Sequence, residues 1–205
     1  WRHQFNMTIK TKKLKIKNMK RIFKLSSLML AIIMATTTIV SAQEKTVMVG
    51  GAAMYPSKNI IENAVNSKDH TTLVAAVKAA GLVETLEGAG PFTVFAPTNE
   101  AFNKLPAGTV DNLLKPENKD KLTAVLTYHV IAGRIDSKTL MDWIKKNGGT
   151  YTATTVQGGK LMFSMKGKNL MVMDESGNTA KVTIKDVYQS NGVIHVIDTV
   201  LLPKS

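Results

Sequence analysis

Through much of the first half of the chain, apolar residues recur at every third or fourth position, the period of a helix with one buried face. The first such stripe begins at Ile60, and Pro56 and Ser57 are predicted to open its helix. Gly81 follows the second stripe, where glycine readily takes the left-handed conformation that ends a helix. Helices are predicted to begin near residues 57, 69 to 71, 98, 118 and 137, with Thr98 and Ser137 as N-caps.

From Thr150 onward, apolar positions alternate with polar ones, which is the period of a strand with one buried face. Short turn sequences, most of them containing glycine, separate the alternating runs, as in hairpins. The sequence therefore predicts a β-meander with strands at 151–156, 160–165, 169–173 and 180–184.

Two further runs, 92–95 and 192–202, are continuously apolar and predict strands that are buried on both faces. Most of the predicted helices precede the meander, an order typical of the α+β class. No internal repeat is visible, so one domain is expected.

The N-terminus has the three zones of a secretory signal peptide. Lys20, Arg21 and Lys24 precede an apolar run at 25–40, and the small residues around Ala42 suit a cleavage site. The run is shorter than the ~20 residues that a membrane-spanning helix needs. The sequence therefore predicts cleavage near Ala42 and no membrane span in the mature protein.

The predicted leader divides the chain into four segments. Met19 is the natural start, so the residues before it are interpreted as an upstream extension. The residues after the leader include Gly50 and Gly51 and predict a flexible lead-in. The segments are 1–18 (upstream extension), 19–42 (signal peptide), 43–56 (lead-in) and 57–205 (a single domain).

The formal net charge of +12 would ordinarily suggest a nucleic-acid partner. However, nine of the 27 Lys and Arg residues lie in residues 1–42, where there is no acidic residue. The remainder carries 18 basic and 15 acidic residues and has no basic stripe interleaved with aromatic side chains. Nucleic-acid binding is therefore not expected.

Three short blocks of the sequence stand out. They are GPFTVFAPTNEAF at 90–102, Tyr128-His129-Val130 at the end of a helix, and NGVIHVIDTVLLP at 191–203. They resemble the first conserved box, the central Tyr-His motif and the second conserved box of the fasciclin family, in that order and spacing. The resemblance covers roughly residues 60–203 and is strongest for secreted bacterial single-domain, beta-Ig-H3-like proteins.

The resemblance implies a wedge of two small β-sheets decorated by helices, and a role in extracellular adhesion or binding without catalysis. In animal members the region around the Tyr-His motif is tied to integrin binding. Carried onto this chain, it makes Leu126, Tyr128, His129 and Ile131 the candidate binding residues. The expected structural residues of the conserved boxes are Phe92, Phe95, Thr98, Asn99, Phe102, His195 and Asp198.

The histidines allow more than one interpretation. His129 is expected to be partly buried and to hydrogen-bond the turn at Thr98 and Asn99, with a binding contact or a catalytic base as alternatives. His195 is expected to be a core histidine with satisfied hydrogen bonds.

The sequence predicts no metal site, no cofactor and no catalytic residue. It contains no cysteine, so thiolate chemistry is excluded, and its histidines lack the spacing of a zinc motif. Residues 174–178 fit a hairpin turn better than a calcium loop. No Gly-x-Ser-x-Gly, Walker or dinucleotide-binding sequence occurs.

The sequence thus favours a monomeric adhesion or binding module outside the cytoplasmic membrane, periplasmic or extracellular. Its partner would be a cell-surface or matrix protein or a polysaccharide. One alternative is a periplasmic carrier that holds a small ligand in a pocket lined in part by Trp143 and Phe163. A less favoured alternative is a hydrolase of unrecognised type that uses His129.

Overall fold

A computed structural model describes residues 45–204 of the chain. The predicted upstream extension and signal peptide therefore lie outside the described residues. Within residues 45–204, no helix is long and apolar enough to cross a membrane.

The helices precede the meander, as the apolar period predicts. They are α1 (Ile60–Ala64), α2 (Thr71–Ala80), α3 (Val83–Glu87), α4 (Asn99–Asn103), α5 (Thr109–Leu113), α6 (Lys119–Tyr128) and α7 (Ser137–Lys146), with short 3-10 helices at Lys68–His70 and Pro116–Asn118.

Local hydrogen bonds explain where several helices begin and end. Thr98 caps α4 as predicted, by accepting a bond from the backbone N–H of Ala101. Gly81 ends α2 in the left-handed conformation. Two predictions were wrong. Helix α1 does not open at Pro56 and Ser57 but follows Asn59, which caps it in a capping box, and α7 begins at Ser137 as predicted but is capped by Asp136. In both places a side-chain oxygen one or two residues away reaches the free N–H groups of the first turn.

The strands are β1 (Val47–Val49), β2 (Ala52–Met54), β3 (Phe92–Pro97), β4 (Val130–Ala132), β5 (Thr150–Thr154), β6 (Lys160–Lys166), β7 (Asn169–Met173), β8 (Thr179–Gln189) and β9 (Gly192–Ile197). Strands β5 to β8 form the predicted meander. Strand β9 is buried throughout, as predicted, but ends before residue 202.

Seven strands form one sheet in the order β4-β3-β9-β8-β7-β6-β5. Strands β3 and β9 are parallel, which places two of the conserved boxes side by side, and the other neighbours are antiparallel. The α+β class is therefore confirmed.

Strand β8 joins the two halves of this sheet. Its first residues pair with β7 and its later residues pair with β9. The register with β9 shifts between Val182 and Val187, and Asp186 within this stretch has a φ of 60°. The Asp186 carboxylate accepts bonds from the backbone N–H and the hydroxyl of Ser137, which hold the irregular stretch in place. The two sheets that the resemblance implies are thus continuous through one bent strand.

The buried side chains form two clusters. The first, which we call the helical core, lies among α1 to α6, β3, β4 and β9. The second, which we call the meander core, packs α7 against the meander and centres on aromatic side chains such as Phe95 and Phe163, whose rings lie 5.3 Å apart.

The lead-in predicted to be flexible instead contains an ordered hairpin. Strands β1 and β2 pair antiparallel around Gly50 and Gly51, which both have positive φ as a tight two-residue turn requires. Val49 and Met54 are buried in the helical core. The Gly50 carbonyl accepts a bond from the backbone N–H of Lys68. The hairpin therefore docks beside the 3-10 helix that carries His70.

Candidate functional site

Tyr128, the last residue of α6, is buried and connects the helix to the meander. Its hydroxyl donates to the Lys160 carbonyl (2.7 Å) and accepts from the backbone N–H of Glu175 (3.1 Å). Burial raises the pKa of the Tyr128 hydroxyl. The side chain thus joins two turns of the meander to the end of α6.

His129 is also buried, and both of its ring nitrogens are used. Nε2 accepts a bond from the backbone N–H of Leu201 (3.0 Å), so Nδ1 must carry the proton that is shared with the Val125 carbonyl (2.8 Å). Burial lowers the pKa of His129 to about 4, so the ring is neutral at ordinary pH. This residue fixes the C-terminal segment against α6.

The predicted bond from His129 to the turn at Thr98 and Asn99 was wrong. Asn99 is bonded to other groups: its side-chain oxygen accepts from the backbone N–H of Thr72 (3.0 Å), and its amide donates to the Lys68 carbonyl (2.9 Å). These hydrogen bonds join the turn to the start of α2.

The four candidate binding residues lie together around the junction of α6 and β4, but all are buried: Leu126, Tyr128, His129 and Ile131 are each no more than 6% exposed. Their side chains do not form an outer surface. The loop that covers this junction is 155–159, in which Val156 donates to the Val130 carbonyl (2.7 Å) and is itself 51% exposed.

The hydrogen-bonded polar residues of the second conserved box include His195 and Asp198. His195 is fully buried; its Nδ1 accepts from the backbone N–H of Asp186, its Nε2 shares a proton with the Ile135 carbonyl (2.9 Å), and its ring stacks on Phe95. Burial lowers the pKa of His195. The Asp198 carboxylate accepts from the backbone N–H of Lys181 (2.8 Å) and from the Thr199 hydroxyl.

The three phenylalanines of the first box differ in depth. Phe95 is fully buried in the meander core, Phe102 is buried in the helical core, and Phe92 is half-buried at its edge.

No group of three or more acidic or histidine side chains is placed to hold a metal ion within residues 45–204. The Asp174 carboxylate accepts from two N–H groups of its own turn, from the Asn178 side chain and from Leu202. These bonds describe a structural turn.

A cavity of about 90 Å³ lies within the helical core. Its walls come from α2, from β3 and from the N-terminal elements, with Leu73, Val94 and Met54 as representative lining residues. Trp143 and Phe163, which were expected to line a ligand pocket, instead belong to the meander core, so that assignment was wrong.

One polar side chain in the cavity wall lacks a complete set of hydrogen bonds. His70 is 3% exposed, and its Nδ1 lies 2.8 Å from the Ser67 hydroxyl. Its Nε2 has no hydrogen-bond partner among the described residues.

The model of the fasciclin domain matches residues 68–203, which is about two thirds of the chain. The chain belongs to the fasciclin-domain family. The matched fasciclin region begins within the 3-10 helix at Lys68–His70, so the hairpin and α1 that close one side of the cavity lie outside it.

Two curated proteins are similar to this chain. Protein sll1483 of Synechocystis is 49% identical over 164 residues, covering 78% of this chain and 82% of the relative. Cell surface glycolipoprotein MPB83 of Mycobacterium bovis is 38% identical over 160 residues, covering 76% of this chain and 64% of the relative.

A solved structure, the FAS1 domain pair from the insect cell adhesion molecule fasciclin I, has the same fold. Its TM-score is 0.63, and the match covers 78% of this chain and 58% of that chain. The sequence identity of 16% makes this a likeness of fold alone.

Sequence analysis of the fasciclin motifs missed the cavity and His70. The apolar stripe of α2 predicts which face of the helix is buried, but not whether the neighbouring elements fill the space. A single histidine just before an apolar stripe was the one available signal.

Proposed function

We propose that the mature protein is a secreted or cell-envelope binding module of the fasciclin type that acts in adhesion and does not catalyse a reaction. The observation that carries this proposal is the match to the fasciclin domain over residues 68–203, together with the fold it accompanies. Adhesion or binding is the role expected of that family.

The hydrogen bonding of the polar residues supports a role without catalysis. His129, the sole candidate for a general base, uses both ring nitrogens and has a pKa lowered to about 4 by burial. A base must reach the proton that it removes. His129 would first have to break its bonds to Val125 and Leu201.

The proposed location outside the cytoplasmic membrane rests on the predicted signal peptide and on a relative whose name describes a cell surface protein. A polysaccharide or a surface protein is the partner class that suits this location. Protein purified from its own host should begin near Gln43, and a chain that retains residues 19–42 would contradict the predicted cleavage.

The proposed contact surface is the loop at 155–159, above the junction of α6 and β4. Tyr128 and His129 are buried beneath or beside it, and they fix the segments on which it rests. Val156 is half exposed although it is aliphatic, so covering its side chain with a partner would remove apolar surface from water.

The test is a binding screen with immobilised mature protein against surface proteins, polysaccharides and envelope fractions of its own host. Val156→Asp should weaken any captured interaction by roughly tenfold or more, as loss of an interface anchor does. Met48→Asp is the matched control, because Met48 is also aliphatic and is 59% exposed on β1. Silence across all three ligand classes would contradict the adhesion role, and equal weakening by both variants would contradict the assigned surface.

A further inference from the structure

The cavity in the helical core is large enough to hold more than water. Its enclosed volume of about 90 Å³ exceeds several times the ~10–15 Å³ that one water needs. The lining is apolar over nearly its whole area, with Val49, Leu73, Val77 and Val94 as examples. Apolar cavities tend to stay dry and to accept small apolar molecules.

The lining continues from these buried residues to the protein surface. Lys78, at the outer side of α2, and Thr85 of α3 are both lining residues and both exposed. A molecule that is too long for the enclosed part can therefore extend toward solvent. The cavity volume of about 90 Å³ is smaller than the ~150 Å³ of a cavity that accommodates a benzene ring, which favours a linear chain.

His70 supplies the polar group of this site. Burying a ring nitrogen without a hydrogen bond costs free energy, so buried polar atoms are nearly always paired. Nε2 of His70 is buried and has no partner among the described residues, while Nδ1 is held by Ser67. A molecule in the cavity could provide the missing partner.

The electrostatic surroundings of His70 favour an uncharged partner. Burial lowers the pKa of His70. The Ala96 carbonyl, which acts on the ring without completing a hydrogen bond to Nε2, and the Asp69 carboxylate offset this only in part, so the ring is neutral near pH 7. Lys78 is the cationic residue in the lining, and it lies at the exposed side. A carboxylate drawn into the cavity would lose its hydration without meeting a buried positive charge.

The two tautomers of the His70 imidazole limit which polar group the bound molecule can carry. If Ser67 donates to Nδ1, then Nε2 carries the proton and needs an acceptor. If Nδ1 donates to Ser67, then Nε2 needs a donor. A hydroxyl can both donate and accept, so it fits His70 in either tautomer.

We propose that this cavity binds a linear aliphatic alcohol, with its hydroxyl hydrogen-bonded to Nε2 of His70 and its chain lying along α2 and β3 toward Lys78. The lining includes Val156 of the adhesion surface proposed above, but the cavity is tested by the resonance of His70 and adhesion by capture of a partner. Its failure and the failure of adhesion are therefore separate results.

The direct test uses octan-1-ol as the probe and the mature protein with ¹⁵N-labelled histidine. Titration at pH 7 should shift the Nε2 resonance of His70 saturably, while the resonances of His195, which does not line the cavity and whose nitrogens are already bonded, move little. Octanoate should bind ~tenfold more weakly or worse, because its charge is not compensated in the cavity. No saturable shift with octan-1-ol would mean that the cavity holds water alone and would overturn the site.

Two variants separate the hydroxyl contact from the cavity itself. His70→Leu should weaken octan-1-ol by ~tenfold and leave n-octane unchanged, as loss of one hydrogen bond predicts. Val77→Phe should fill the space and weaken both probes. If His70→Leu does not fold, the labelled wild-type protein still carries the test. Saturable binding that leaves the His70 resonance unmoved would overturn the assigned hydroxyl contact.

Discussion

The helical core and the meander core differ in how completely they are filled and hydrogen-bonded. The meander core contains fully buried aromatic and aliphatic residues, including Phe95, Phe163 and Leu140, and its one buried histidine, His195, uses both ring nitrogens. The helical core surrounds a cavity, and one of the histidines beside it, His70, leaves one nitrogen without a partner among the described residues.

This difference separates residues that hold the fold from residues that are available to a ligand. A side chain beside a cavity makes fewer dispersion contacts than one that is surrounded on all sides. An unpaired polar atom beside that cavity destabilises the folded state unless a bound molecule supplies the missing hydrogen bond. His129 lines the cavity as well, but both of its nitrogens are bonded, so it belongs with the structural residues.

Paired leucine substitutions would test the comparison most strongly. Leu140→Ala in the meander core should lower the free energy of unfolding by about 4–5 kcal/mol, the upper end of the range for buried leucine. Leu73→Ala, beside the cavity, should cost only about 2–3 kcal/mol, because its surroundings are already incompletely packed. Urea unfolding of both variants measures the difference. Equal losses would mean that the two cores are packed equally well.

Acidification should destabilise the protein through His129. Burial lowers its pKa to about 4 from the ordinary 6.5, so between these values the unfolded chain binds a proton that the folded chain does not. The free energy of unfolding should therefore fall as the pH drops from about 6.5 to 4, by about 3 kcal/mol for this residue alone.

The matched variant for that measurement is His129→Leu. At pH 7 it should already be less stable by about 2–3 kcal/mol, because the Leu201 N–H and the Val125 carbonyl lose their partner. Its free energy of unfolding should then change less steeply with pH than that of the wild type. The difference in slope should correspond to at most one bound proton. An unchanged slope would assign the acid sensitivity to other groups, such as His70 and His195, whose pKa values are also lowered.

The sequence predicted those features that local interactions determine. Thr98 was identified as a cap because its partner, Ala101, lies three residues away. The meander was predicted because alternation has a period of two and short turns separate its strands. The paired boxes at β3 and β9 were found through resemblance, and their parallel pairing is a property of the fold.

Features set by distant partners were not predictable in the same way. The backbone N–H that pairs with His129 belongs to Leu201, 72 positions away, so only the tertiary fold brings them together. The hairpin at β1 and β2 consists of three-residue strands, too short to show alternation. The cavity is a property of the space between elements, and no single segment encodes it.

The prediction with the smallest expected effect concerns whether the two halves of the molecule are energetically independent. Thr98→Ala removes the cap of α4 beside the helical core, and Asp136→Ala removes the cap of α7 beside the meander core. Each should lower the free energy of unfolding by about 1 kcal/mol. The two caps bond different N–H groups, so in the double variant the losses should add to within about 0.5 kcal/mol. A larger deviation would mean that the two halves are energetically coupled. Strand β9 would connect them, because it lies between β3 and the bent strand β8. In that case, occupancy of the cavity would be expected to alter the stability of the meander as well.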